Sequence, residues 1–255
     1  MGAAKSEGSE FQKILLRYAL ERLLYRVSQS PFANRFLLKG AHLFTLWYEL
    51  PECTLPRDSV QLEPDELKAV ERAIRDAILI AADDGITFDS DSAVVHTIYP
   101  KTSRADARVE ISGTVADDCF TLQIDLCFSA AVAFGAAQST YPVLLQGFAA
   151  PRLRTYPLYT VLSEKLCAIA SQELTARWPN DYLELWNLLD DDFLNVTALG
   201  HAILATFGKQ CITAPAGLPA ALSDQFAADQ SRQAIWDEFL RQNGLKSIRL
   251  SEVVR

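Results

Sequence analysis

The sequence predicts an α+β protein, in which a mixed sheet with flanking helices is followed by a C-terminal helical bundle. Apolar residues recur at helical spacing over residues 10–29 and again from about Pro157 onward. Between these regions, residues 107–128 alternate apolar and polar side chains, which is the pattern of strands with one buried face. The change of period divides the chain into a mixed half and an all-helical half.

Composition and charge are those of an ordinary globular protein. Of 255 residues, 49% are hydrophobic and 22% are charged, so a sizeable core is expected. The formal net charge of −8 argues against a broad basic surface for nucleic acid backbones. No apolar run reaches the roughly 18 residues that a membrane span needs. Residues 1–10 are small and polar, which favours a disordered lead over a secretion signal and predicts a cytoplasmic protein.

Cysteine and histidine spacing predicts neither a zinc site nor a disulfide framework. The five cysteines are scattered without a CxxC pair, and the three histidines lack HxH or HExxH spacing. We therefore expect reduced thiols and no metal site built from histidine.

The mixed half begins with an amphipathic helix over residues 10–29, which Pro31 ends. Its apolar face is predicted to carry Phe11, Ile14, Leu15, Tyr18, Leu24 and Val27. Its opposite face is predicted to carry Lys13, Arg17 and Arg22.

A short strand and a glycine turn follow this helix. Residues 36–38 lead to Gly40 and to a predicted helix over 41–49. A brief strand is then expected over 57–62, and Pro64 begins a helix that runs to about residue 82.

Two adjacent alternating runs predict an antiparallel hairpin. Residues 107–115 and 119–128 each present apolar side chains to one face, and residues 116–118 join them. Asp125 falls on the polar face, where a strand can present its carboxylate to a cleft.

The all-helical half is predicted because apolar residues recur at helical spacing again after Pro157. Four helices are predicted, over 157–174, 180–190, 197–208 and 231–243. Lys165 lies on a largely apolar face of the first of these helices. A lysine in that position either extends to solvent or meets an anion.

A glycine turn and two aspartates have the layout that nucleotidyl transfer uses. Such chemistry needs Mg²⁺ held by carboxylates, and donors that bind the phosphates. Gly40 would open a helix whose free N–H groups can bind phosphate, while Asp58 and Asp125 would supply carboxylates from neighbouring strands. Each feature also has a plain structural explanation, as an ordinary turn or a solvated aspartate.

Six segments occur in an order that is shared with one protein family. They are residues 18–26 (YALERLLYR), 36–41 (FLLKGA), 56–58 (PRD), 122–128 (LQIDLCF), 151–168 (PRLRTYPLYTVLSEKLCA) and 181–186 (DYLELW). In this order they resemble the AbiEii/AbiGii toxin family of nucleotidyltransferases, which belongs to the DNA polymerase beta-type superfamily.

The resemblance implies a domain division and a set of site residues. A disordered lead over 1–10 would precede a nucleotidyltransferase-like domain over 11–156 and a helical domain over 157–255. Asp58 and Asp125 would bind Mg²⁺, and Asp181 would orient or activate the acceptor. The catalytic residues would therefore be Asp58, Asp125 and Asp181, and the nucleotide-binding residues Lys39, Gly40 and Lys165.

The resemblance also implies partners. A nucleoside triphosphate (NTP) would donate a nucleotide to an RNA acceptor, such as a tRNA, or to a protein. A cognate antitoxin would restrain the protein, and no membrane would be involved.

The departure from the family pattern concerns a residue that metal binding would need. Where the family has a second metal-binding aspartate two residues after Asp58, this chain has Val60. A valine cannot coordinate Mg²⁺, which takes oxygen ligands. The tract over 50–56 is longer than the family's loop, which leaves room for a displacement of one or two residues in this placement. Two hypotheses stay open: an active nucleotidyltransferase, or a degenerate relative that serves as a nucleotide- or protein-binding module.

Overall fold

The computed structural model of the chain describes residues 2–39, 43, 59–62, 67–98, 106–128, 135–170, 178–189, 194–210 and 217–254. The chain divides into two compact units, and the main boundary falls between Tyr156 and Pro157. Two predicted site residues, Gly40 and Asp58, lie outside the described residues, as does most of the helix predicted over 41–49.

The first unit combines helices with a mixed sheet. Its described helices are α1 (Gly2–Gln29) and α2 (Leu67–Ile78). Its strands are β1 (Phe36–Lys39), β2 (Ser59–Leu62), β3 (Ile86–Phe88), β4 (Val94–Ile98), β5 (Asp106–Val115), β6 (Asp118–Phe128), β7 (Ala137–Thr140) and β8 (Arg152–Thr155).

Helix α1 is longer than the sequence predicted. It begins at Gly2, so residues 2–10 are helical rather than a disordered lead. Alanine, lysine and glutamate in this stretch have good helix propensity, and adding turns to a formed helix needs no new nucleus. The core face of α1 starts later, since Phe11 and Ile14 are about half exposed whereas Leu15 is buried.

Arg22 is buried in an ion-pair cluster, although the sequence placed it on the polar face of α1. Its Nε–H donates to Asp84 Oδ2 at 2.9 Å, while Arg26 donates to both oxygens of the same carboxylate, at 2.6 and 2.9 Å. Burial by itself raises the pKa of Asp84, but the hydrogen bonds from Arg26 and Arg22 outweigh it and lower the pKa. The cluster ties α1 to the segment before β3.

The eight described strands form one sheet, in the order β3-β5-β6-β2-β1-β8-β7, with β4 also paired to β5. Strands β2 and β6 are parallel, as are β1 and β8, and the other pairs are antiparallel. The predicted hairpin is confirmed as β5 and β6, whose register pairs Val115 with Asp118. Val109, Ile111 and Ile124 line the core beneath it.

The regular secondary structure in the described part of the second unit consists of helices. Its helices are α3 (Leu158–Ala170), α4 (Trp178–Leu189), α5 (Val196–Gln210), α6 (Asp224–Ala228), α7 (Gln230–Gln242) and α8 (Leu250–Val253). The four predicted helices correspond to α3, α4, α5 and α7. The prediction of an α+β fold is therefore confirmed.

An aromatic cluster forms the centre of the second unit. Tyr182 stacks on Phe226 with ring centroids 5.3 Å apart, and Trp178 meets Tyr182 edge-on. The Tyr182 hydroxyl donates to the carbonyl of Ala221, and burial raises the pKa of this tyrosine above its ordinary value. Trp236 is fully buried beside this cluster and donates from Nε1 to the carbonyl of Ile248. Within the described part of the chain, no helix is both long and apolar enough to cross a membrane.

Candidate functional site

A row of directly paired residues crosses five neighbouring strands of the first unit. The register pairs Lys39 with Ser59, Ser59 with Asp125, Asp125 with Arg108, and Arg108 with His96. Directly paired residues of neighbouring strands lie on the same side of a sheet. We call this set the polar row. It places two predicted site residues, Lys39 and Asp125, on one face.

Asp125 is held by a two-point ion pair with Arg108. The Arg108 Nε–H donates to Asp125 Oδ1 at 2.6 Å, and Nη2 donates to Oδ2 at 3.1 Å. About a fifth of each side chain is exposed. The hydrogen bond from Arg108 to Asp125 raises the pKa of the arginine. Because paired strands fix both backbones, the guanidinium is held beside this carboxylate.

Lys39 ends strand β1 next to an aromatic ring. Its Nζ lies 5.2 Å from the ring centroid of Tyr156, within the range of a cation–π contact. The backbone N–H of Tyr156 donates to the carbonyl of Leu38 at 3.0 Å, which fixes the ring beside the strand end. The lysine is therefore held on the same face as Asp125, immediately before the predicted phosphate-binding Gly40.

The register of β2 aligns position 60 with residues of two neighbouring strands. Position 60 is paired with Leu38 and Leu126, and both of these side chains are buried. Position 60 therefore shares its register row with two buried residues, and position 59 shares its row with Asp125.

The described residues of this face include one of the two predicted Mg²⁺ ligands, Asp125, whereas Asp58 lies outside them. Mg²⁺ requires near-octahedral oxygen ligation and is usually bound through carboxylates. Asp125 is already paired with Arg108, and Glu110, on the same side of β5, accepts a hydrogen bond from Gln123. Among the residues that the structure describes, no group of three or more histidines, cysteines, aspartates or glutamates could hold a metal ion.

The second unit contains a separate charged cluster, in which Lys165 meets two carboxylates. Its Nζ lies 2.9 Å from Asp181 Oδ1 and also forms an ion pair with Glu184. Burial by itself lowers the pKa of Lys165, but Glu184 and then Asp181 outweigh it and raise the pKa. Asp181 and Glu184 are three residues apart on α4, which brings them to one face of that helix.

This cluster includes two predicted site residues and adds a third. Lys165 was expected to face a triphosphate, and Asp181 to orient an acceptor. In the structure these two residues form an ion pair with each other. Glu184, which was not among the predicted site residues, shares the lysine; its spacing of three residues from Asp181 was the available signal.

The fold of this chain is similar to that of a solved protein structure. The chain is similar to the crystal structure of JHP933 from Helicobacter pylori, with a TM-score of 0.51 and 17% identity, over 97% of this chain and 88% of that one. A proposed nucleotidyltransferase from H. pylori also matches, with a TM-score of 0.48 and 17% identity, over 92% of this chain and 87% of that one. No curated protein sequence shows a significant match.

A match to a family model identifies the family of this chain. Residues 22–249 match the profile of the family described as "Nucleotidyl transferase AbiEii toxin, Type IV TA system". The chain therefore belongs to the AbiEii toxin family, as its motifs indicated.

Proposed function

We propose that this chain is a nucleotide-binding member of the AbiEii family that binds the phosphates of an NTP at the polar row. The observation that supports this is the position of Lys39 and Arg108 on one face of the sheet, on either side of Asp125. The row contains two cations and one carboxylate, and Glu110 lies two residues from Arg108 on the same side of β5.

The donors of the row suit phosphate oxygens. The two hydrogen bonds to Asp125 use two of the five N–H groups of the Arg108 guanidinium, which leaves three for other acceptors. Lys39 adds a compact ammonium group at the end of β1. Hydrogen bonds between a cation and a phosphate are among the stronger polar contacts in proteins. The row therefore supports recognition of an anion.

A second candidate function is transfer of a nucleotide from the NTP to an RNA or protein acceptor. The retained Asp125 carboxylate, and the cluster of Lys165, Asp181 and Glu184 in the second unit, favour it. In that case the protein would act as a toxin, and a cognate antitoxin would be its partner.

Titration of each NTP into the protein, followed by calorimetry, tests the first proposal. We expect Lys39→Met to weaken NTP binding by about tenfold, since a lost charged contact of about 1.4 kcal/mol corresponds to that factor. Lys68→Met is the matched control, because Lys68 is an exposed lysine on α2. Equal affinities for both variants would contradict a phosphate-binding role for the row.

Incubation with labelled NTP, tRNA and MgCl₂ tests the second candidate. Label that becomes bound to RNA or protein, and is lost in Asp125→Asn, would establish transfer. Growth arrest on expression, relieved by co-expression of an adjacent gene, would establish the antitoxin partner.

A further inference from the structure

We propose that the edge of the sheet formed by β7 and β8 binds a single strand of RNA through its phosphates. The surface consists of Arg152 and Arg154 on β8 with Gln138 and Thr140 on β7, and we call it the basic edge. The inference rests on the proposed function, because it names RNA as the class of acceptor and gives it a place beside the polar row.

The strand register brings the four side chains of the basic edge to one face of the sheet. Thr140 is paired with Arg152, and Gln138 is paired with Arg154. Arg152, Gln138 and Thr140 are exposed, and Arg154 is partly exposed. Arg154 also donates from Nη1 to the carbonyl of Asn34, which ties it to the turn before β1. The basic edge therefore presents donor groups to solvent along two strands.

The basic edge lies on the same face as the polar row. Strand β8 is parallel to β1, and Thr155 is paired with Leu38. Because side chains alternate along a strand, Arg154 and Lys39, each adjacent to one member of this pair, both lie on the opposite side of the sheet. Strands β1 and β8 are neighbours, so one strand spacing of about 5 Å separates the basic edge from the strand of Lys39.

Carboxylates of the described strands lie far from the basic edge. Residues 31–39 and 135–156 include Arg35, Lys39, Arg152 and Arg154 but no aspartate or glutamate. The strand carboxylates belong to β5 and β6, and they are Asp106, Glu110, Asp118 and Asp125. Strand β6 is three strand spacings from β8, roughly 14 Å, and β5 is one spacing further. This distance exceeds the Debye length of about 8 Å at physiological salt.

A carboxylate from helix α1 contacts the loop between β7 and β8, but it is not available to the surface. Glu21 accepts a hydrogen bond from the backbone N–H of Leu144 at 2.6 Å and pairs with Arg22. Its side chain is buried. Among the described residues, a phosphate at the basic edge would therefore meet arginines without an exposed carboxylate on the same or the adjacent strand.

The chemistry of the basic edge favours RNA over an acidic protein. The Cα atoms of Arg152 and Arg154 are roughly 7 Å apart along one strand, close to the spacing of successive phosphates in an RNA strand. Guanidinium groups bind phosphate oxygens with two hydrogen bonds, and Gln138 and Thr140 can donate to phosphate or sugar oxygens. The centre of a protein interface is typically apolar and aromatic, whereas all four of these side chains are polar.

Fluorescence anisotropy of a labelled oligouridylate with the full chain, in the absence of NTP, tests this inference. Arg152→Gln should weaken RNA binding by about tenfold. It should also reduce the slope of log K against log salt concentration by about 0.7, which is the contribution of one phosphate contact on a single strand. Arg72→Gln, which removes the same charge from an exposed position on α2, is the matched control and should change neither quantity.

A second variant adds a charge instead of removing one. Thr140→Lys places an ammonium group directly opposite Arg152 in the β7–β8 register. It should tighten RNA binding by about fivefold, as one added surface charge contact does. An unchanged RNA affinity in Thr140→Lys would overturn the inference, whatever the folding of Arg152→Gln. Equal weakening by Arg152→Gln and Arg72→Gln would also overturn it.

Two further measurements separate RNA from other partners and this inference from the proposed function. Competition by polyglutamate as strong as that by unlabelled RNA would show that the basic edge binds acidic protein, and would overturn the choice of RNA. Absence of RNA binding in a protein that still binds NTP by calorimetry would overturn the inference and leave the proposed nucleotide binding intact. RNA binding without NTP binding would support the basic edge and contradict the polar row.

Discussion

Two adjacent rows of the same sheet have opposite characters. The polar row runs through Lys39, Ser59, Asp125 and Arg108, while the row one residue along runs through Leu38, Val60, Leu126 and Ala107. In the second row Leu38, Leu126 and Ala107 are all buried. Because side chains alternate along a strand, a shift of one residue exchanges the two rows. The chemistry of this protein therefore depends on register as much as on residue type.

The largest effect on stability is expected from placing a carboxylate in the second of these rows, the one that runs through Leu38 and Leu126. Val60→Asp should lower the free energy of unfolding by about 4 kcal/mol, because position 60 is paired with the buried residues Leu38 and Leu126. Ser59→Asp, at the neighbouring position in the polar row, is the matched control and should cost about 1 kcal/mol or less. Urea denaturation followed by circular dichroism measures both. Equal costs would show that the register of β2 is wrong.

The next largest effect concerns Asp84, a carboxylate that also pairs with arginines but is almost fully buried. Asp84→Asn should cost about 3 kcal/mol, since it leaves Arg22 and Arg26 buried without a negative partner. Asp83→Asn changes an exposed neighbour and should have little effect. Urea denaturation of the two variants makes the comparison. A small cost for Asp84→Asn would show that burial does not determine how much these ion pairs contribute to the free energy of unfolding.

The contribution of Asp84 to the free energy of unfolding should also depend on pH. Its pKa in the folded protein lies below the ordinary value of 3.8. The stabilisation is therefore complete above that value and is lost as the pH falls through the lower folded pKa. Denaturation of wild type and Asp84→Asn at successive pH values should show their difference shrinking only below pH 3.8. A difference that disappears near neutral pH would contradict this.

An intermediate effect is expected for Lys165, whose side chain is 18% exposed. Lys165→Met should cost about 2 kcal/mol, because Asp181 and Glu184 would remain close together without their cation. Lys246→Met removes an exposed lysine of the same unit and should be nearly neutral. Thermal or urea denaturation compares the two. If Lys165→Met proves neutral, the ion pairs of the second unit contribute little to its stability.

The smallest effect is expected for Asp125, at the centre of the polar row. Asp125→Asn should cost about 1 kcal/mol, since the pair with Arg108 is partly exposed and keeps one hydrogen-bond acceptor. Asp117→Asn, in the exposed turn of the same hairpin, is its control. A cost close to that of Asp84→Asn would make the polar row a structural feature rather than a binding site.

Local patterns predicted much of the fold. The alternation over 107–128 indicated the β5–β6 hairpin, and helical spacing indicated α3, α4, α5 and α7. The motifs also indicated the family correctly. These features depend on neighbours a few residues apart, which is the range over which periodicity and helix propensity act.

The site was less predictable, because its members are distant in sequence. Lys39 and Asp125 were chosen as site residues, and the structure places them on one face. Arg108, the partner of Asp125, was not among the predicted site residues. Arg22 was predicted to lie on the face of α1 opposite the apolar one, yet it is buried and pairs with Asp84, 62 residues further along. No local pattern indicates such a pair.

By itself, the sequence determined the class of fold, the helices and the central hairpin, and membership of the AbiEii family. Those follow from local periodicity and from ordered motifs. The tertiary structure alone decided that position 60 is paired with Leu38 and Leu126 and that Asp125 forms an ion pair with Arg108. The reason is that strand register is set by pairing between segments far apart in the chain, and a single residue of displacement turns a core position into a site position.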